Sequence, residues 1–369
     1  MISPYPSPTD SSDLQTRFAP VYHVLNEAIA ERAFPGCAFG VLARGEIVLK
    51  DALGRFTYDE GSPAVTAETI YDVASLTKVL ATTAAAMLLY QRGLLDLDTP
   101  LGELLPGFVV GRAFGQHAHH VKLRHLLAHN SGLPGYVEFF RTVSTPAALY
   151  RACLELPLEA YPGGRVEYSD PGFILLGKAL EVCTREYLAS WVQREVFQPL
   201  SLTSTGYCPP ARTRSAIPPT EEDTRLRQRR IQGEVQDENA WLLKGAGGHA
   251  GVFSNVPDLL HFANEVLSAW NGNSKLFDKT TVELFAQRQS PEGSSRALGW
   301  DTPSENSSSG HHFSPNSIGH LGFSGCSLWI DRNAQIAVAL LTNRTWPDRQ
   351  NQAIRQVRPA FHDAVRAAL

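Results

Sequence analysis

Ser75 and Lys78 stand three residues apart in the stretch "DVASLTKVLATTAAAML" at 72–88. On a helix that spacing puts two side chains on one face, about 5 to 6 Å apart at Cβ. A hydroxyl beside an amine can act as a nucleophile with its base, provided the amine sheds its proton. Val79, Leu80, Ala84, Met87 and Leu88 follow at helical spacing, so the segment reads as a buried helix with Ser75 near its N-terminus. Burial disfavours an ammonium and is expected to lower the pKa of Lys78, leaving it able to act as a base. The helix N-terminus adds positive potential where negative charge would develop. The bland alternative is a serine cap and a lysine that snorkels to solvent. A bare SxxK pattern does not decide between them, although no other lysine here has a serine at minus three. GxSxG and HExxH patterns are absent, which removes two rival hydrolytic designs.

Two more stations bear on the choice. Tyr168 lies in "GGRVEYSDPGFILLG", after a Gly-Gly loop and just before a helix, a position from which a phenol can reach a cleft; a rim or core tyrosine is the plain alternative. "GHLGFSGCSLWID" sets Gly319, Gly322 and Gly325 around a strand start, where small residues admit close approach of a ligand.

In this order, Ser75-Leu-Thr-Lys78, Tyr168-Ser-Asp170 and His320-Leu321-Gly322 resemble the SxxK, YxN and KTG (or HxG) elements of the serine β-lactamase and penicillin-binding-protein family, in its class C and esterase branch. "HLLAHNSGLP" (125–134), "GEVQDENA" (233–240), "GAGGHAGVFSN" (245–255) and "SLWIDR" extend the resemblance over most of the chain. The resemblance implies a helix-flanked antiparallel sheet with a helical domain. It implies that Ser75 attacks an acyl carbonyl while Lys78 and Tyr168 share the proton transfers. It also implies that the backbone N–H groups of Ser75 and Phe323 hold the oxyanion, with no cofactor and no metal.

Two departures concern the substrate. His320 replaces the lysine of KTG and is mostly neutral near pH 7. Asp170 replaces the asparagine of YxN and, when ionised, only accepts hydrogen bonds. Asp170, His320, Leu321 and Gly322 are therefore expected to line a substrate site poorly suited to carboxylates, and small esters are the expected substrates. β-Lactams, D,D-peptides and D-amino-acid amides are alternatives within the family, and a catalytically silent binding protein on the same fold is an alternative outside it.

Other candidates carry less. His117, His119, His120 and His125 cluster without a cysteine or acidic partner at ligand spacing and read as a polar loop. His249, in a glycine-rich stretch, is either cleft wall or plain turn. Cys326 follows the apolar rhythm of its strand and reads as core. Trp300 in "RALGWD" lines the acyl pocket or packs in the core.

The elements that must position these residues are legible in outline. Leu14 to Ala33 reads as a docking helix, and "CAFGVLARGEIVLKDALGRF" as a hairpin about Arg44-Gly45-Glu46. Residues 320–343 repeat that pattern about Asp331-Arg332-Asn333, and a helix from about Asn351 to Ala368 closes the chain. These ends suggest one antiparallel sheet built by both termini, 13–74 with 246–369, around a mostly helical domain at 75–245, with the site in the cleft between. Residues 1–12 read as a disordered tail. The charged "TEEDTRLRQRR" (220–230) and the Ser/Pro/Gly-rich stretch 290–317 read as loops, the latter broken by a possible strand at "RALGWD".

With 43% apolar residues in 369, the chain can bury a large core. A formal charge of −4 with interspersed signs offers no stripe for nucleic acid, and no apolar run is long enough to span a bilayer. The N-terminus lacks a signal-peptide pattern, so a cytoplasmic protein is expected, acting on a small acyl substrate, with oligomeric state open. Five widely spaced cysteines, Cys37, Cys153, Cys183, Cys208 and Cys326, suit reduced packing thiols.

Overall fold

Alternation along the strands explains the layers. In Gly36–Ala43 (β1), Ala38 and Leu42 join one apolar cluster while Cys37, Phe39 and Val41 join another. Successive side chains point to opposite faces of a sheet, so a strand buried on both faces must be apolar throughout. Ile336–Thr342 (β10) behaves alike, with Ala337, Ala339 and Leu341 on one side and Val338 and Leu340 on the other. The computed structural model describes residues 16–113 and 117–369; the expected tail at 1–12 lies outside them.

These strands form the middle of a five-stranded antiparallel sheet, ordered β2-β1-β10-β9-β8, with Glu46–Gly54 (β2), Ser327–Asp331 (β9) and Ser317–Leu321 (β8). Cys37 pairs with Thr342 and Val41 with Val338, so the two ends of the chain build one sheet. Arg44 and Gly45 turn β1 into β2 with φ of 53° and 88°, the left-handed pair that a two-residue hairpin requires. The C-terminal pattern is a three-strand meander instead of a single hairpin, because β8 and β9 are joined by their own tight turn at Gly322–Cys326. In the β9–β10 turn the Asp331 carboxylate accepts from the Asn333 and Ala334 N–H groups.

One face packs against Ala19–Ala30 (α1) and the closing helix Ile354–Ala368, through Val21, Leu25, Phe39, Trp329 and Phe361. Truncating a buried aromatic such as Phe39 costs about 3 to 5 kcal/mol. The other face carries Val256–Trp270 and the helices of the middle segment in one continuous core. Gly40 allows this: a Cβ there would lie 2.6 Å from Val256 Cγ1.

A second, three-stranded sheet brings the functional stretches together. Tyr71–Asp72 (β3) pairs with Val252–Ser254 (β7), which also pairs with Gly206–Tyr207 (β4). The residues just before Ser75 are thereby fixed to the glycine-rich 245–255 stretch.

Two loop expectations are corrected. The charged 220–230 stretch lies largely in a two-stranded ribbon, Pro219–Asp223 (β5) with Arg229–Gln232 (β6). Glu221 and Asp223 are buried there because Arg349 and Arg227 pair with them; the charges are bonded, not solvated. "RALGWD" forms only isolated bridges, Arg296 to Asp301 and Asp301 to Gly319. Trp300 in that segment is 2% exposed and belongs to the core, so it does not line a cleft. Among the described residues no helix is long and apolar enough to cross a membrane.

Candidate active site

Ser75 sits in a short 3-10 turn, Ala74–Leu76, and Lys78 opens a wider π-turn, Lys78–Thr83, that runs on into the α-helix Ala84–Gln91. The expected helix is present but irregular at the end that matters. Side chains of the same segment set that geometry: Thr77 Oγ1 donates to the Ala74 carbonyl and accepts from Val252 N–H, while Thr82 Oγ1 donates to the Gly248 carbonyl.

Lys78 is fully buried, which excludes the snorkelling alternative. Its ammonium reaches Ser75 Oγ at 2.9 Å, the His249 carbonyl at 3.0 Å and Asp170 Oδ1 at 2.7 Å. Three donors meet three acceptors, the satisfaction a buried cation requires. The face of the Tyr168 ring lies 4.8 Å from Nζ, adding cation–π attraction.

The expectation of a depressed lysine pKa is overturned. Burial does push the ammonium toward neutrality, but the Asp170 carboxylate and the Tyr168 phenol outweigh it, and the pKa lies above the ordinary lysine value. The sequence reading weighed desolvation without its countercharge, because that countercharge is 92 residues away. Asp170 is corrected in the same step: its carboxylate is spent on Lys78 and does not stand free as a substrate-facing acceptor.

Tyr168 and Asp170 are presented by the start of Asp170–Thr184, whose N-cap Ser169 accepts from Gly172 N–H at 3.0 Å. His129 fixes this entry, its Nδ1 accepting from Ser169 N–H at 2.9 Å while its ring packs 4.4 Å from that of Tyr168. Burial holds His129 neutral, far below the ordinary histidine range. The Tyr168 phenol stands beside Lys78 and Ser75; burial raises its pKa and the neighbouring ammonium only partly offsets that.

From the other side comes β8. His320, one residue before its end, lies beside Tyr168, 5.9 Å between rings, with Nδ1 2.8 Å from the Leu321 carbonyl. A carbonyl only accepts, so Nδ1 carries the proton and Nε2 is left an acceptor. Burial drives the His320 pKa well below the ordinary value, so the residue is neutral. Gly322 permits the close approach of this strand end: a Cβ there would lie 2.4 Å from the Val73 carbonyl. Phe323 follows, with its side chain 47% exposed at the rim. Among the described residues, no hydrogen-bond acceptor takes the backbone N–H of Ser75 or of Phe323.

His249 contributes its carbonyl to Lys78, while its ring is 1% exposed and pairs with Asp237 at 2.8 Å. It is the wall behind the lysine and does not open on a cleft. Cys326 is buried with its thiol pushed up to about 11 by burial. The five cysteines form no disulfide. His117 and His120 pack on Tyr161, and among the described residues no cluster of histidine, cysteine and acidic side chains is arranged to hold a metal.

Three residues were missed by the sequence reading. Asp72 supports the Ser75 turn, Asp237 pairs with His249, and the Arg296 guanidinium stands 5.2 Å over the Tyr168 ring with only a loose ion pair to Asp301 at 3.7 Å. Asp72 lay inside the quoted stretch and was readable as an Asx-type acceptor two residues before Ala74; nothing local signals the other two.

Comparison with known proteins bears on the family and the fold. The Beta-lactamase family model matches residues 22–360. The N-acetylmuramyl-L-alanine amidase of Bacillus subtilis (strain 168) is 31% identical over 349 residues, which cover 84% of this chain and 77% of that protein. Among solved structures, EstCE1, a hydrolase with promiscuous acyltransferase activity, superposes with a TM-score of 0.74 at 23% identity, over 96% of this chain and 100% of that one. Simvastatin synthase (LovD) from Aspergillus terreus gives 0.73 at 21% identity, over 95% and 98%. With its five-stranded sheet built from both termini and a helical region inserted between them, the chain belongs to the beta-lactamase family of serine hydrolases.

Proposed function

We propose that this chain is an acyl-enzyme hydrolase whose nucleophile is Ser75 and whose preferred substrates are small carboxylic esters. The observation that carries the reading is the convergence of the Ser75 hydroxyl, the Lys78 ammonium and the Tyr168 phenol on one point. As Ser75 Oγ attacks the acyl carbon its proton passes to the Tyr168 oxygen, and in the same concerted relay Tyr168 hands its own phenolic proton to the oxygen of the departing alcohol as the C–O bond breaks, so the phenol stays neutral throughout. Lys78, kept charged by Asp170, stabilises the negative charge that develops on Ser75 Oγ as its proton leaves. The N–H groups of Ser75 and Phe323 receive the oxyanion; donors of this kind are worth about 3 kcal/mol each in the transition state. Water then enters in place of the alcohol, and the same relay in reverse releases the acid and restores Ser75. Neutral His320 in place of the KTG lysine supports esters over substrates held by a carboxylate.

Ser75→Ala tests the reading. Wild-type protein should hydrolyse p-nitrophenyl butyrate and take one fluorophosphonate adduct on the peptide containing Ser75; the mutant should do neither while keeping its thermal midpoint. More than a few per cent of wild-type turnover in the mutant overturns the assignment, and a wild type that neither turns over nor labels makes the chain a silent member of the fold.

A second reading, amide hydrolysis, is favoured by two observations. The 31% identical relative is named an amidase, and Arg296 supplies a cation beside Tyr168 where the KTG lysine is missing. Matched ester and amide substrates of one acyl group, with and without a carboxylate on the leaving side, decide between the two.

A further inference from the structure

Ala74, the residue before Ser75, has φ of 47°. Residues other than glycine rarely hold this left-handed conformation unless their surroundings impose it. Here the imposing group is Asp72. Its Oδ1 accepts from Ala74 N–H at 2.8 Å and its Oδ2 from Gln236 N–H at 2.7 Å, while its backbone carbonyl accepts from Ser324 Oγ at 2.7 Å. The side chain is 1% exposed. One buried residue thus ties together the turn that carries Ser75, the 236 segment leading to Asp237, and the β8–β9 turn that carries Phe323.

We propose that Asp72 is a positioning residue of the acyl-transfer site: its carboxylate holds Ala74 left-handed so that the Ser75 hydroxyl and N–H face the cleft, and its carbonyl anchors Ser324 so that the Phe323 N–H meets them. The proposal rests on Ser75 being the nucleophile. It explains why an acid is buried where an apolar side chain would fit, since only a carboxylate offers two acceptor oxygens to two backbone donors that are otherwise buried without partners. Asparagine has one acceptor oxygen and would turn an amide N–H toward the second donor.

A consequence for pH follows from the same contacts. Burial raises the Asp72 pKa to about 6, with the two backbone donors opposing. The charged groups facing it are Asp237, which raises it further, and Arg227, which lowers it; the Cys326 thiol is also adjacent. Protonation below that pH removes an acceptor site and loosens the turn.

The test is a rescue. Asp72→Asn should lower kcat for p-nitrophenyl butyrate about 10- to 100-fold, the equivalent of one charge-assisted hydrogen bond, with KM changed less than about twofold. Ala74→Gly alone should retain wild-type kcat, since glycine adopts positive φ without strain. The double variant should recover at least about tenfold over Asp72→Asn, because the residue that needed holding no longer does. A general structural role would not be repaired by a glycine two residues away. Near-normal kcat in Asp72→Asn, or a double variant no faster than it, overturns the proposal. If Asp72→Asn does not fold, kcat of the wild type and of Ala74→Gly between pH 5 and 8 decides: the wild type should lose activity below about pH 6 and the glycine variant should lose less, and identical profiles refute the proposal. Fluorophosphonate labelling separates the layers: full but slowed labelling of Ser75 in Asp72→Asn leaves the nucleophile assignment standing, whereas no labelling in the wild type removes that assignment itself.

Discussion

Asp170→Asn isolates the electrostatic role of the buried lysine, because asparagine has nearly the same shape and differs in its charge. At the 2.7 Å separation of Lys78 and Asp170, the gross attraction at an effective dielectric of about 20 is roughly 6 kcal/mol. Even if three quarters is cancelled by desolvation, about 1.5 kcal/mol remains, worth about one pH unit. Asp170 raises the lysine pKa, so removing it lets the ammonium deprotonate at lower pH. If the charged lysine is the working form, the alkaline limb of kcat/KM moves down by at least about one unit in the variant, and KM for a neutral ester stays put. Stability carries the same sign. A lysine raised on folding stabilises the native state fully below its unfolded value, 10.5, and the contribution fades only as pH rises through the higher folded value; the variant should therefore melt lower across the neutral range. The assay is a pH series of p-nitrophenyl butyrate hydrolysis from pH 5.5 to 10, with melting curves at each point. An Asp170→Asn variant that is faster at pH 7, with its acid limb moved down, would refute the reasoning and make the neutral amine the base.

Lys78→Arg should retain less than about 1% of wild-type turnover, since a planar guanidinium cannot present its charge to Ser75, Asp170 and the His249 carbonyl from the same point; activity above about 10% would argue against a point charge at that position. His320→Lys should raise kcat/KM for nitrocefin relative to p-nitrophenyl butyrate by about tenfold or more, because a neutral ring gives way to a cation; an unmoved ratio would assign carboxylate recognition to Arg296, to be checked with Arg296→Met. Burial works against the Asp237 carboxylate, but His249 outweighs it and holds its pKa below the usual carboxylate range, so its stabilisation is present above about pH 4 and is lost as pH falls through the depressed value. Thermal midpoints between pH 5 and 2.5 should fall less steeply in Asp237→Asn than in the wild type, and parallel curves would contradict this.

What the sequence made legible follows the range of its signals. Period-two alternation and turn residues act over a few positions, so the strands of both termini and the Ser75–Lys78 pairing could be read. The sheet order follows from them, since β1 and β10 are apolar on both faces and must lie inside. Charges were read worst. Glu221 and Asp223 fall in a stretch that reads as a loop and are buried in a ribbon, where Arg227 pairs with Asp223 from four residues on and Arg349 reaches Glu221 by tertiary contact. Trp300 reads from sequence as either pocket lining or core, and its ring fills the core. The left-handed Ala74 leaves no sequence trace, since glycine would have announced such a position and alanine conceals it.

The same distinction bears on which residue moves the proton. Taking a proton from Lys78 would leave Asp170, 16% exposed at its side chain, as an anion without its partner, at a cost of several kcal/mol. It would also leave a lysine nitrogen with two hydrogens facing the three acceptors that the ammonium now satisfies. Passing a proton through the Tyr168 phenol disturbs neither, because the phenol takes one as it gives one. The ion pair remains intact throughout, and its positive end lies 2.9 Å from Ser75 Oγ, where negative charge develops as the proton leaves. A lysine buried this deeply without a countercharge would be a good base; with Asp170 beside it, it is a fixed field, and the titrating work falls to the residue it faces. Replacing Tyr168 by phenylalanine should therefore cost as much turnover as removing the lysine's charge, since neither group performs the transfer without the other.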